Sequence, residues 1–408
     1  MKVCVVGLGY IGLPTAFSLA DNGVDVIGVD KSRHVLDTLK NGQMTFKEDG
    51  MAQLFERVLA GGNLTLETTP QPCEIYIVAV PTPYMKISKQ IDASYVVNAV
   101  KEVIEIAPKG AIIAVESTIS PGTIDKYVRP LFEDSRYELG KDIHVAHVPE
   151  TIIPGNMLYE LKHNNRIIGA DCPQVAEKLK QTYATFCRGE IVITDIKTAE
   201  MAKVVQNTFR DINIAFANEL AKMCNRAQMD VYEIIRVANL HPRVNILSPG
   251  PGVGGHCISV DPWFLVGDYP DIVNIIRQAR LINDEMPEYV LRRISRIMSE
   301  NGITSLSRVG FYGLTYKEDV DDTRESPTLQ IMECMKEHAA FGAKFYDPML
   351  DEKIVENQYM DFDEFIGDID MLVVMVGHSH IKQNVDKISN LIVYDTRNCI
   401  DNPNIYKL

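Results

Sequence analysis

Val3-Cys4-Val5-Val6-Gly7-Leu8-Gly9-Tyr10-Ile11-Gly12, followed by a helical run to Asn22 and then Val26-Ile27-Gly28-Val29-Asp30, decides the fold. Four consecutive apolar residues read as a buried strand. The spacing predicts a helix over 11–22, closed by Gly23, and a second strand over 26–29. A GxGxxG between strand and helix permits a tight turn and brings backbone N–H groups against a pyrophosphate. An acid at the end of the second strand accepts ribose hydroxyls, so Asp30 selects NAD over NADP, with Arg33 close by in sequence.

Working outward, further strand runs are expected at 75–80, 111–115, 144–147 and 166–169, with helical patterns between most of them. This is the grammar of βαβ units in a doubly wound parallel sheet. From Thr198 to Ala227 no turn signal occurs, which predicts one helix of about thirty residues, roughly 45 Å long, a spine joining two domains and a dimer surface. A second helical block is expected over 272–299. Strand–helix alternation restarts after Gly302, with runs at 309–312, 344–346, 371–376 and 391–394 that end in polar residues such as Asp347, His378 and Asp395-Thr396-Arg397. The fold class is therefore α/β: an N-terminal Rossmann-type domain (1–197), a central all-helical dimerisation segment with a catalytic loop (198–300) and a C-terminal Rossmann-like domain (301–408).

The 408 residues are 46% hydrophobic and 24% charged, as in ordinary globular proteins. A net charge of −14 without a basic cluster argues against a nucleic-acid partner. Apolar runs of strand length argue against a membrane span. The chain enters its first strand without a signal-type leader, and its eight cysteines contain no CxxC pair. The expectation is a cytoplasmic protein with reduced thiols and no metal site.

Chemistry concentrates in a few places. Pro249-Gly250-Pro251-Gly252-Val253-Gly254-Gly255-His256-Cys257 ends a bare-backbone loop in a thiol, with Asp261 four residues on. A thiolate attacks a carbonyl, and a carboxylate activates water or orients a base. Thr82, Glu116-Ser117-Thr118 and His147-Val148-Pro149-Glu150 each follow a strand and so share the cofactor edge of the first sheet. Lys203, Asn207 and Arg210 form one stripe at i, i+4 and i+7 among apolar neighbours, where Lys203 suits a general base or an oxyanion partner. Tyr316-Lys317 and Asp321-Asp322-Thr323-Arg324 follow the first strand of the second sheet, a position suited to phosphate.

Together these residues, above all Ala199 to Lys203, Phe209 to Glu219 and His241 to Cys257, resemble the UDP-glucose/GDP-mannose dehydrogenase family over essentially the whole chain. The resemblance implies an NAD-binding N-terminal domain, a helical dimerisation core and a UDP-binding C-terminal domain, assembled as a homodimer or higher homo-oligomer. It implies four-electron oxidation of a sugar C6 alcohol to a carboxylate with two NAD, and its branch points to UDP-N-acetylmannosamine. Cys257 would trap the C6 aldehyde as a thiohemiacetal and carry the thioester that water hydrolyses. Lys203 would act as acid/base with Asn207, while Asp261 and Thr118 lie near the water and Glu150 completes the catalytic set. Substrate would be held by Thr151, Ile152, Lys203, Asn207, Arg210, His241, Gly254, Tyr316 and Lys317, with Arg243 reaching the neighbouring subunit's site. NAD would lie against Gly7, Gly9, Tyr10, Ile11, Gly12, Asp30, Arg33, Thr82, Thr118 and Arg324. Thr151 departs from the arginine common in the family, and Val260 replaces the lysine of the UDP-glucose branch. Alternatives are a UDP-N-acetylglucosamine 6-dehydrogenase, a single-step β-hydroxyacid dehydrogenase and a non-catalytic nucleotide-sugar-binding regulator.

Overall fold

The computed structural model describes residues 1–255, 257–402 and 405–408; His256 of the glycine-rich stretch lies outside them. The chain forms two compact units, Met1–Gln206 with Phe264–Pro270, and Asn207–Trp263 with Asp271–Leu408.

The first unit is built on an eight-stranded sheet of β1 (Lys2–Val6), β2 (Asp25–Val29), β3 (Leu64–Glu67), β4 (Ile75–Val78), β5 (Ala111–Val115), β6 (Ile143–His147), β7 (Arg166–Ala170) and β8 (Ile191–Thr194). The spatial order is β3-β2-β1-β4-β5-β6-β7-β8. β4 and β5 are buried along their whole length, and β1 from Val3 onward, as expected of strands covered on both faces. One feature departs from the all-parallel expectation: β7 runs antiparallel to β6, pairing Ala146 with Ala170 and His147 with Gly169. Continued outward, that register sets Glu150 across from Arg166.

The second unit carries a six-stranded, all-parallel sheet: β9 (Val309–Tyr312), β10 (Lys344–Tyr346), β11 (Gln358–Tyr359), β12 (Met371–Val374), β13 (Ile392–Asp395) and β14 (Tyr406–Lys407), in the order β11-β10-β9-β12-β13-β14. Val309, Phe311, Met371 and Val373 face one way and pack with Ala217, Ala221, Ile235, Val290 and Ile294 from helices earlier in the chain. Tyr312, Leu372 and Val374 face the other way onto Phe362 and Phe365. Strand alternation thus gives this sheet two cores, one of them built from the helical segment. That segment includes the helix Ile196–Ala227, 32 residues long, and the expected block over 272–299 is two helices, Ile275–Asp284 and Met286–Glu300. No described helix is long and apolar enough to cross a membrane.

The opening turns of the two sheets repeat one another. Gly7 has φ +97° and donates its N–H to Val29 O at 2.8 Å; Gly313 has φ +99° and donates to Tyr346 O at 2.8 Å. A Cβ on Gly313 would also sit 2.6 Å from Val376 Cβ. Gly313→Ala is expected to destabilise the second unit by about 1–3 kcal/mol, read as a lowered midpoint in urea; an unchanged midpoint would contradict the strained turn.

Candidate functional site

At the carboxyl end of the first sheet the three glycines of the opening motif have different surroundings. A Cβ on Gly7 would lie 2.3 Å from Ala79 O, and one on Gly12 would lie 1.9 Å from Gly7 O. A Cβ on Gly9 would meet nothing within 4 Å, and the residue is exposed, so this point of the turn is open to a ligand. The helix Gly12–Asp21 starts there with no side-chain cap on its N–H groups. Two glycines close the turn and one opens it, which fits a pyrophosphate. Asp30 Oδ2 accepts the Leu8 N–H at 2.9 Å and Oδ1 accepts the Ser32 N–H at 2.8 Å, fixing a half-buried carboxylate beside the turn. Tyr10 stacks on Phe46 with centroids 4.4 Å apart, Ile11 is half-buried, and Arg33 is exposed on the following helix. Thr82 is buried after β4, while Thr118 is half-buried after β5, next to Ser117, whose hydroxyl donates to Val80 O at 2.6 Å.

The same edge holds a buried charge cluster that periodicity did not reveal. Arg166 Nη1 meets Glu116 Oε1 at 3.1 Å, and its Nη2 meets Glu150 Oε2 at 2.5 Å. Tyr183 OH donates to Glu116 Oε1 at 3.2 Å, and its ring lies under the guanidinium, 4.5 Å away. Glu150 is not presented to solvent: its Oε1 accepts the Thr151 N–H at 2.7 Å, so it anchors the turn carrying Thr151 and Ile152. One guanidinium faces two carboxylates, and Glu116 is pushed up to about 8, first by burial and then by the Glu150 charge, against the pull of Arg166. Its Oε2 is buried without a hydrogen-bond partner. His147 is also fully buried, its Nδ1 on Val115 O at 2.8 Å; burial holds it down at about 3, aided by the nearby Lys203 charge. It is therefore neutral, and Lys203 beside it is itself buried.

In the second unit, Asn207 Nδ2 donates to Asp261 Oδ2 at 2.6 Å, both residues being buried. Cys257 is exposed. Its carbonyl accepts the Asp261 N–H at 2.8 Å, which ties thiol and carboxylate into one turn. The loop before it packs on the second sheet's edge: a Cβ on Gly254 would lie 2.7 Å from Tyr316 Cβ, and one on Gly255 2.9 Å from its ring. Tyr316 and Lys317 line a cavity of about 340 Å³ with Val376, Gly377, Arg397 and Cys399, at the carboxyl ends of β9, β12 and β13. Arg397, one of the polar residues expected at a strand's carboxyl end, lines this cavity after β13. Its Nε donates to Met375 O at 2.8 Å, and its Nη1 lies 2.8 Å from where a Cβ on Gly250 would sit. Arg324 grips Asp322, with contacts of 2.6 to 3.1 Å. Arg210 is half-buried, and His241 and Arg243 are exposed. No group of three or more His, Cys, Asp or Glu among the described residues could hold a metal.

Three domain patterns of one family match the chain in order: the NAD-binding domain of the UDP-glucose/GDP-mannose dehydrogenases over residues 1–187, the central domain over 197–285 and the UDP-binding domain over 310–402. The UDP-N-acetyl-D-mannosamine dehydrogenase of Methanococcus maripaludis is 42% identical over 100% of this chain and 94% of its own length. The NDP-N-acetyl-D-galactosaminuronic acid dehydrogenase of Ralstonia nicotianae is 38% identical over 97% and 95%. Among solved structures, the UDP-N-acetyl-mannosamine dehydrogenase Cap5O of Staphylococcus aureus is 41% identical, with a TM-score of 0.89 over 100% of this chain and 98% of that one.

The charge cluster makes stability depend on pH in a defined direction. Glu116 in the fold keeps a proton that the unfolded chain has lost above its ordinary 4.5, so stability falls as pH rises from there toward 8. Glu116→Gln fixes the neutral form. Its melting temperature is expected to decline less than that of the wild type between about pH 5 and about pH 8; parallel declines would show that no proton is shared.

Proposed function

The chain belongs to the UDP-glucose/GDP-mannose dehydrogenase family and is an NAD-dependent nucleotide-sugar dehydrogenase, and we propose that it oxidises UDP-N-acetylmannosamine at C6 to the uronic acid. One observation carries the chemistry. The loop ending in the exposed thiol of Cys257 packs on Tyr316, which with Lys317 and Arg397 lines a cation-bearing cavity at a sheet's carboxyl edge. Lys317 and Arg397, with Lys382 paired to Glu318 in the same lining, suit a diphosphate, and a thiol on the adjoining loop suits the sugar's far end.

NAD, when bound, is the hydride acceptor, two equivalents being used per sugar. Gly9 and the Gly12 helix end would hold its pyrophosphate, and Asp30 its ribose. Lys203, in its neutral form, takes the C6 hydroxyl proton in the first oxidation; Cys257 Sγ then adds to the aldehyde carbon as the thiol proton passes to the aldehyde oxygen. The second oxidation leaves an acyl group on sulfur; water breaks the C–S bond, releasing carboxylate and regenerating the thiol. Asp261, oriented by Asn207, receives a proton from that water, with Thr118 as a further hydrogen-bonding group. Glu150, held by Arg166, acts by setting the turn that offers Thr151 and Ile152 to the sugar. Functional domains over 1–197, 198–300 and 301–408 match these three tasks, and the cytoplasm, where NAD and nucleotide sugars are available, is the proposed compartment.

The relatives are named for hexosamines of different configuration, so the sugar is the point to test. With a panel of UDP-N-acetylhexosamines, kcat/KM is expected to favour the manno sugar by at least about tenfold, equivalent to about 1.4 kcal/mol. Preference for UDP-N-acetylglucosamine would replace the substrate, and binding without NADH formation would make the protein a regulator.

A homodimer is proposed through the long helix. Phe209, Phe216 and Met223 are 66, 48 and 63% exposed on it. Their seven-residue spacing, with Ile212 between, makes one apolar stripe with the geometry of a helix–helix seam. A Phe209→Glu, Phe216→Glu double variant is expected to run at the 45.7 kDa chain mass in light scattering, against twice that for the wild type; an unchanged mass would place the interface elsewhere.

A further inference from the structure

A line of polar side chains crosses the interior of the second unit and ends on the glycine-rich loop. Arg280 Nη1 donates to Asp211 Oδ1 at 2.5 Å, and Asn283 Nδ2 donates to the same oxygen at 2.8 Å. Asn283 Oδ1 accepts from Asn218 Nδ2 at 2.8 Å, and Asn218 Oδ1 accepts the Gly250 N–H at 2.9 Å. All four side chains are at most 1% exposed, so water does not substitute for any of them.

The order of donors and acceptors is forced. An ionised carboxylate only accepts, so Asn283 must turn its NH₂ toward Asp211 and its oxygen toward Asn218. Asn218 must then offer its NH₂ to Asn283, which leaves its oxygen for Gly250. Arg280 holds the charge that sets the direction of both amides. The loop is tied at two further points: Asn213 Oδ1 accepts the Leu247 N–H at 2.9 Å, and the Arg324 carbonyl accepts the Gly255 N–H at 3.0 Å.

We infer that Asn218 is a positioning residue, setting through Gly250 the path of the segment that delivers Cys257, with Arg280, Asp211 and Asn283 fixing its orientation. This role rests on Cys257 being the nucleophile. A residue that merely packed the helices would alter the melting temperature and leave turnover per folded enzyme untouched.

Asn218→Asp keeps the shape and removes the donor, setting a carboxylate against Asn283 Oδ1. Its kcat is expected to fall roughly 10- to 100-fold, as for a displaced reacting group, with the NAD dissociation constant unchanged. Wild-type kcat in the folded variant would overturn the role. If the variant does not fold, hydrogen exchange on the unmodified protein decides: the Gly250 amide is expected to be strongly protected, and rapid exchange there would overturn the anchor. Full two-step turnover by Cys257→Ala would instead defeat the nucleophile assignment, leaving the Gly250 protection as it was.

Discussion

In both sheets a carboxylate just beyond the second strand accepts the backbone N–H that follows the first strand's glycine, and the binding edge is organised around that contact. Asp30 holds Leu8 at 2.9 Å, and Asp347 holds Leu314 at 2.6 Å. The bond fixes a left-handed glycine turn and so decides where each unit meets a nucleotide. From that shared frame the two edges diverge. In the first unit Gly9 follows, the helix begins at once, and Asp30 stays half-buried with lone pairs available to a ribose. In the second unit Thr315 takes the place of Gly9 and the next helix starts only at Pro327. Asp347 is buried there, also accepting the Thr315 and Met349 N–H groups, with His378 Nε2 3.4 Å away. The His378 contact and these hydrogen bonds hold its carboxyl below the usual range despite burial. The dinucleotide site is thereby closed, and the intervening segment supplies Tyr316 and Lys317 to a different pocket.

Buried polar groups do the rest of the positioning, in each unit by a different device. Around Arg166 one cation is shared by two carboxylates, a balance kept by a proton; removing one partner of such a buried pair costs about 3–5 kcal/mol. Around Asp211 the cation is Arg280, which also bridges the partly exposed Asp284, and the Asp211 charge is transmitted as amide orientation. The first device anchors the turn bearing Thr151, and the second anchors the loop bearing Cys257. In both cases a buried charge fixes the path of a backbone segment through a hydrogen bond to one of its N–H groups.

Local pattern made much of this legible before any coordinates. The strand–GxGxxG–helix–Asp30 order contains its own turn, and so the first sheet's opening could be read directly. The 32-residue helix was legible because nothing interrupts it. The edge strands β11 and β14, two residues each, carry too few residues for a periodic signal, and β3 lacks the continuous apolar run of β4. The reversal of β7 was hidden for another reason: direction is set by what a strand pairs with. That reversal puts Arg166 opposite Glu150, and so the charge cluster was invisible. Asn218 and Asn283 were likewise unremarkable as helical residues 65 apart in sequence. Cys257 stood out because a reactive side chain at the end of bare backbone is a local feature.

In the proposed chemistry one thiol lets a single site perform two successive oxidations. Counting NADH formed per UDP-N-acetylmannosamine consumed tests it directly. Two are expected for the wild type, and no carboxylate product from Cys257→Ala. One NADH per sugar, or two from the variant, would contradict it.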